Sequence, residues 1–296
     1  MVGGMSEQYD VIVIGGGAAG LSGALTLARA RRRVLVVDGG QPRNAPAAGV
    51  HNYLGRENTP PGELLEIGRA EARGYGAEFT DGVVTNALRE GDGFRVELAG
   101  GTSLAARRLL VTTGLTDELP DIPGLAEGWG RRVLHCPFCH GWEVRDRPVG
   151  VIAVGALAAH QALLWTQWTD DVVLFTNNHE MPDISPKVRV VEGEVVGVDD
   201  VGVHLRDGTV VAREAVVVQT RMAARAGFLD GLGLETADLE MQGEVVATYV
   251  PADPMGKTAV EGVWVAGNVA DPMAQVIVAA GAGLKAAAAI IMDLLE

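Results

Sequence analysis

The sequence predicts an α/β protein made of two three-layer nucleotide-binding units, and two observations predict it. One is a strand–glycine–helix–strand run over residues 9–38; the other is a similar run beginning at Pro148. Two such units suit a chain of 296 residues, since domains average about 150. A unit repeated in this way reads as a pair of Rossmann-like domains, each a parallel sheet between helix layers.

The first unit is built as follows. Tyr9-Asp10-Val11-Ile12-Val13-Ile14 is β-branched and ends in glycine, as a buried parallel strand does. Gly15-x-Gly17-x-x-Gly20 follows at once, and residues 21–30 continue as a helix with Leu21, Leu25 and Ala28 along one face. Val34-Leu35-Val36-Val37-Asp38 is the second strand. Residues 40–61 are rich in Pro, Asn and Gly and read as loop. A helix over 63–73, short strands over 78–98 turning at Gly91-Asp92-Gly93, and a strand over 108–113 stopped by Gly114 come next. The Pro-rich stretch 119–123 reads as a linker. The second unit has a strand over 149–154, a turn at Gly155, a helix over 156–167 and a strand over 171–176. More short strands run through 188–218, with a turn at Asp207-Gly208. The chain closes with a strand over 262–266, then Gly267-Asn268 and a helix from near Gln275.

Composition narrows the function. A net charge of −14 is unsuited to nucleic acid or to an anionic lipid surface, both of which call for clustered Lys and Arg. The two cysteines, Cys136 and Cys139, are too few for a disulfide-framed secreted scaffold. Residues 1–10 lack the basic-then-apolar pattern of a signal peptide, so a cytoplasmic protein is expected. Residues 276–295 are apolar but carry Lys285 in the middle, which favours a packed helix over a membrane span.

The first glycine cluster has a mechanism. Gly15 permits the tight turn off the strand, Gly17 lets a pyrophosphate approach the backbone, and Gly20 lets the helix pack on the strand. The diphosphate then meets a helix N-terminus, where free N–H groups favour negative charge. Asp38, ending the second strand, is placed to accept hydrogen bonds from a ribose. The motif by itself does not separate FAD from NAD.

His135-Cys136-Pro137-Phe138-Cys139-His140-Gly141-Trp142-Glu143 carries the chemistry. Two thiols at i and i+3 beside a helix start can close a small disulfide ring, and the helix N-terminus favours a thiolate there. A structural zinc site takes four ligands, usually as two separated pairs, and no second Cys pair exists. A redox-active dithiol/disulfide is therefore expected. His140 and Glu143, three apart, would share a helical face, with Glu143 orienting His140 as a general acid/base beside the thiols.

Together these motifs resemble the low-molecular-weight thioredoxin reductases over nearly the whole chain. The likeness rests on the first glycine cluster, Thr112-Thr113-Gly114, the mid-chain CxxC, and the closing Ala266-Gly267-Asn268 with Gln275-Val276. It implies a discontinuous FAD-binding domain over 1–116 and 245–296, with 117–244 inserted as a unit of NADPH-domain type that carries the CxxC. It implies FAD contacts at Gly15, Gly17, Ala18, Ala19, Gly20, Asp38, Gln41, Asn52, Val83, Thr113, Gly114, Gly267, Asn268, Gln275 and Val276. It also implies that Cys139 is the thiolate facing the flavin, that Cys136 exchanges with substrate, and that the protein is a homodimer. Asn268 stands where thioredoxin reductases carry Asp, which removes one negative charge near the diphosphate.

The second glycine unit departs from that family. In Gly155-Ala156-Leu157-Ala158-Ala159-His160, Leu157 replaces the glycine that admits the pyrophosphate and His160 the one that lets the helix pack. No Lys or Arg occurs from 148 to 186 to hold a 2′-phosphate, so loss of NADPH binding is expected. Cations from elsewhere, such as Lys187, Arg189 or Arg221, are the alternative. The segment Cys136-Pro137-Phe138-Cys139-His140-Gly141 is similar to that of the gliotoxin- and holomycin-type dithiol oxidases. This implies oxidation of a small-molecule dithiol through Cys136 and Cys139, with FAD as cofactor and O2 as acceptor giving H2O2. An NADPH- or ferredoxin-dependent thioredoxin or disulfide reductase is the alternative reading.

Overall fold

In the computed structural model, residues 8–181 and 184–295 are described. The reading of residues 1–10 as lacking a signal peptide falls mostly outside that range.

The first sheet explains why its strands read as unbroken apolar runs. Ile12, Ile14, Leu35 and Val37 point into one core, and Val11, Val13, Val34 and Val36 into another, so both faces are covered. Tyr9–Ile14 pairs in parallel with Val34–Asp38 on one side and Ser103–Val111 on the other, and Glu78–Asp81 extends the edge beyond Val34–Asp38. Ser103–Val111 begins earlier than the sequence suggests. Its first half pairs antiparallel with Gly93–Leu98, which continues to Val84–Glu90. Its last residues, Leu109 to Val111, take Val263–Val265 from the far end of the chain, in parallel. The helices Ala18–Arg29, Pro61–Gly74 and Val276–Asp293 lie together, with Ala18–Arg29 touching both others. Val276–Asp293 is long and apolar enough to cross a membrane, yet it turns Ala279, Gly283, Ala286 and Ile290 inward. Gly283 is needed there, since a Cβ would run into the Ala19 carbonyl.

The second sheet is parallel throughout: Arg189–Val191, Val172–Phe175, Val149–Ile152, Ala215–Val218 and Val133–Leu134, in that order. The helix Ala158–Trp165 covers it, and a small antiparallel sheet of Val195–Val198, Gly202–Leu205 and Val210–Ala212 lies against its other core. Between the two large sheets runs a four-stranded one: Ala237–Met241, Glu244–Tyr249, Arg221–Ala224 and Leu115–Glu118. The division expected after 116 and before 245 falls inside the strands Leu115–Glu118 and Glu244–Tyr249. Three of these four strands are half exposed and carry no long apolar run, which is why the sequence does not announce this sheet.

Candidate active site

Val11 to Ile14 ends at Gly15, and there the carboxyl ends of the first sheet open into a cavity of about 970 Å³. This is at the upper end of ligand cavities, about 300–1,000 Å³. One end is the glycine turn. Gly15, Gly17, Ala18 and Ala19 line it, and a Cβ on Gly17 would project into open space. Gly20 does not line the cavity: a Cβ there would run into the Gly15 carbonyl, so its role is helix–strand packing. Ala18–Arg29 has no acidic residue in its first turn, leaving its N-terminus free for an anion. Asp38, Gln41 and Val83 line the same end. Asp38 is already paired with Arg69 and accepts the Gly40 N–H at 3.2 Å, so a ribose there would meet an Arg–Asp pair rather than a lone acid. Further along, Thr113 donates to the Arg225 carbonyl at 2.7 Å, with Gly114 beside it.

Gly267, Asn268, Gln275 and Val276 close the other wall. The Asn268 amide donates to the carbonyls of Asp271, Pro272 and Ala274 at 3.0, 3.3 and 2.9 Å, so its nitrogen shapes the loop into the last helix. An open glycine turn, a free helix N-terminus and a cavity of this volume fit a dinucleotide cofactor.

The cavity ends at the cysteines. Cys136 is the residue before the short helix Pro137–His140, and both thiols are free and half-buried. A hydrogen bond from the Cys139 thiol, with support from the Phe138 and Cys139 N–H groups, lowers Cys136 to about 7. Cys139, as the donor, is pushed up. In the reduced pair this hydrogen bond from Cys139 favours the Cys136 thiolate, with the N–H groups at the helix start adding to it.

Two expectations are corrected. Asn52 is not among the residues lining the cavity; from a backbone φ of 59° it donates its side-chain N–H to the Phe138 carbonyl at 2.9 Å. It thus holds the CxxC turn. Glu143 lies beyond the end of the Pro137–His140 helix and makes no hydrogen bond to His140. Its carboxylate is 3.5 Å from His51 Nε2 instead. His140 Nδ1 is buried without a hydrogen-bond partner among the described residues. Burial lowers the His140 pKa, against an opposing pull from Glu143, so the ring is held neutral and able to accept a proton.

Sequence reading missed two residues here. Arg43, from the Pro- and Asn-rich loop, forks onto Asp117 at 2.7 Å through both Nε and Nη2 and lines the cavity beside the cysteines. His51 lines it too, with Nδ1 2.7 Å from Glu57. Their only sequence signal is His51 standing beside Asn52.

The second glycine turn is closed. Both Glu244 carboxylate oxygens accept the Ala156 N–H, at 3.0 and 3.2 Å, and a Cβ on Gly155 would run into them. The acid stands where a diphosphate would bind. Leu157 is not the obstruction that the sequence suggests: it packs against the Leu115, Met222 and Val246 cluster, and His160 is exposed. Two of the nearby cations are engaged, Arg213 with Asp171 at 2.6 Å and Arg221 with Glu118 at 2.9 Å. In this arrangement the Glu244 carboxylate occupies the N–H that the second glycine turn would otherwise present.

Residues 9–283 match the family model described as pyridine nucleotide-disulphide oxidoreductase. The chain belongs to this family. It is 33% identical over 286 residues to a protein named thioredoxin reductase tcpT from Claviceps purpurea (strain 20.1), covering 89% of this chain and 87% of that one. It is 29% identical to thioredoxin reductase sirT from Leptosphaeria maculans, over 94% and 92% of the two chains. The crystal structure of HlmI aligns with a TM-score of 0.91 and 47% identity, covering 98% of this chain and 94% of that one. An oxidoreductase from Agrobacterium tumefaciens aligns at 0.92 with 35% identity, over 97% and 99%. The protein is thus a thioredoxin reductase-like oxidoreductase of this family, with the α/β fold its sequence predicts.

Proposed function

We propose that this oxidoreductase is an FAD-dependent dithiol oxidase that closes a disulfide in a small molecule, with O2 as acceptor and H2O2 as by-product. The observation that carries the proposal is the contrast between the two glycine turns. The first is open and leads to the cysteines; the second holds the Glu244 carboxylate where a coenzyme diphosphate would bind. Reducing equivalents then arrive as thiols. FAD, when bound in the first cavity, supplies the two-electron chemistry that takes them from the cysteine pair to O2.

The chain's own residues do the rest. His140, kept neutral by burial, takes the proton of a substrate thiol. The resulting thiolate attacks Cys136 of the Cys136–Cys139 disulfide, whose S–S bond breaks with its electron pair on Cys139. The second substrate thiol resolves the mixed disulfide, and Cys136 leaves as thiolate.

The test is oxygen consumption with a panel of small dithiols, run beside NADPH oxidation with an aromatic disulfide. Dithiol-dependent oxygen uptake and no NADPH loss are expected, and Cys136→Ser abolishes the uptake while FAD stays bound. Rapid NADPH consumption overturns the proposal.

A further inference from the structure

Oxidising a dithiol releases two electrons and two protons, and one imidazole holds one proton. The cavity presents a second ring. His51 lines it together with Cys136, Cys139 and His140, and its side chain is only 16% exposed. Carboxylates bracket it: Glu57 Oε1 lies 2.7 Å from Nδ1, and Glu143 Oε1 lies 3.5 Å from Nε2. The other Glu57 oxygen accepts the Asn52 N–H at 2.9 Å, and the Asn52 side chain donates to the Phe138 carbonyl at 2.9 Å. The ring is therefore fixed against the CxxC turn through two separate ties. Glu57 is 63% exposed, which connects the bracket to solvent.

Resting on the oxidase reading, we propose that His51 is the second proton acceptor of the reaction, held by Glu57 and Glu143. The groups facing it are Glu57 from its own loop, and Glu143 and His140 from the segment of the cysteines. The steps balance as follows. The first substrate thiol gives its proton to His140 and its sulfur bonds Cys136, as the Cys136–Cys139 bond breaks with its electron pair on Cys139. The second thiol gives its proton to His51 and its sulfur bonds the first. The bond to Cys136 then breaks with its pair on Cys136. Product disulfide, two reduced cysteine sulfurs and two protonated rings result, and Glu57 passes the His51 proton outward.

Anaerobic stopped-flow bleaching of the bound flavin by dithiothreitol tests this. His51→Ala is expected to bleach about 10²-fold more slowly, as loss of a general base does. Imidazole added to the buffer restores much of the rate, a response that a merely structural role would not give. Glu57→Gln keeps a hydrogen bond to the ring but not the charge; it slows bleaching, and imidazole leaves it slow because the ring still fills its place. His51→Ala and Glu57→Gln both bleaching at the wild-type rate overturns the inference, as does a slowed His51→Ala that imidazole does not rescue. Wild-type flavin that stays yellow overturns the oxidase reading itself, and the inference with it.

Discussion

Replacing Arg43 by methionine keeps most of its bulk and removes the fork on Asp117. The Asp117 side chain is 6% exposed and that of Arg43 27%. Besides the two 2.7 Å bonds from Arg43, Asp117 accepts the Thr220 hydroxyl at 2.8 Å. Burial alone would raise the Asp117 carboxyl, but the Arg43 fork together with the Thr220 hydroxyl and His135 outweighs it and holds the group below the ordinary carboxylate range. Removing one partner of a buried pair costs about 3–5 kcal/mol, and the partial exposure of Arg43 puts this case near the lower figure, about 3. At about 2–4 °C per kcal/mol for a chain of this size, Tm should fall by about 6–12 °C. Asp117→Asn in the Arg43→Met background should recover part of the loss, because no bare carboxylate remains. The assay is a double-mutant cycle by thermal unfolding with flavin bound, at pH 7 and again near pH 3. A carboxyl depressed in the folded state contributes stability above its unfolded pKa of about 3.9 and loses it as pH falls through the folded value. The gap between wild type and Arg43→Met should therefore narrow at the acid end. A loss below about 1 kcal/mol at pH 7, or additive single effects, would refute the reasoning.

Other outcomes follow from the same geometry. Iodoacetamide should label the reduced protein at Cys136 before Cys139, at a rate rising through about pH 7; mass spectrometry showing Cys139 labelled first contradicts the placement of charge on Cys136. Gly17→Val should fold but purify without flavin, because its side chain enters only the cavity, whereas Gly20→Val should lose the fold, because its side chain meets the Gly15 carbonyl. Dichroism and flavin absorbance separate the two cases. Glu244→Ala removes an exposed charged acceptor from the Ala156 N–H, worth no more than about 1 kcal/mol, and should lower Tm only slightly. It should still not confer NADPH oxidation, because no Lys or Arg lies between 148 and 186 to take the 2′-phosphate.

The first unit was readable because its physics is local. A strand buried on both faces must be apolar throughout, and Gly15, Gly17 and Gly20 each answer a contact within a few residues or an open cavity. The cysteine pair was readable because its spacing is its chemistry. What surrounds the pair was not, because Arg43, His51 and Asn52 reach it from a loop whose composition announces only turns. Glu143 illustrates the limit of helical spacing: the helix stops at His140, and the carboxylate turns to a ring far away in the chain. Leu157 shows how a side chain at a glycine position can serve a core rather than the turn. Its side chain serves the core of the four-stranded sheet, while the blocking carboxylate comes from Glu244, on a strand the sequence does not announce.

The carboxylate on Ala156 also acts as a strut. Glu244 belongs to the sheet that both crossings of the chain pass through, and Ala156 to the layer inserted between those crossings. To swivel that layer about the crossings, the molecule must first let go of this bond. The contact is exposed, so it biases that layer toward the arrangement seen here without locking it.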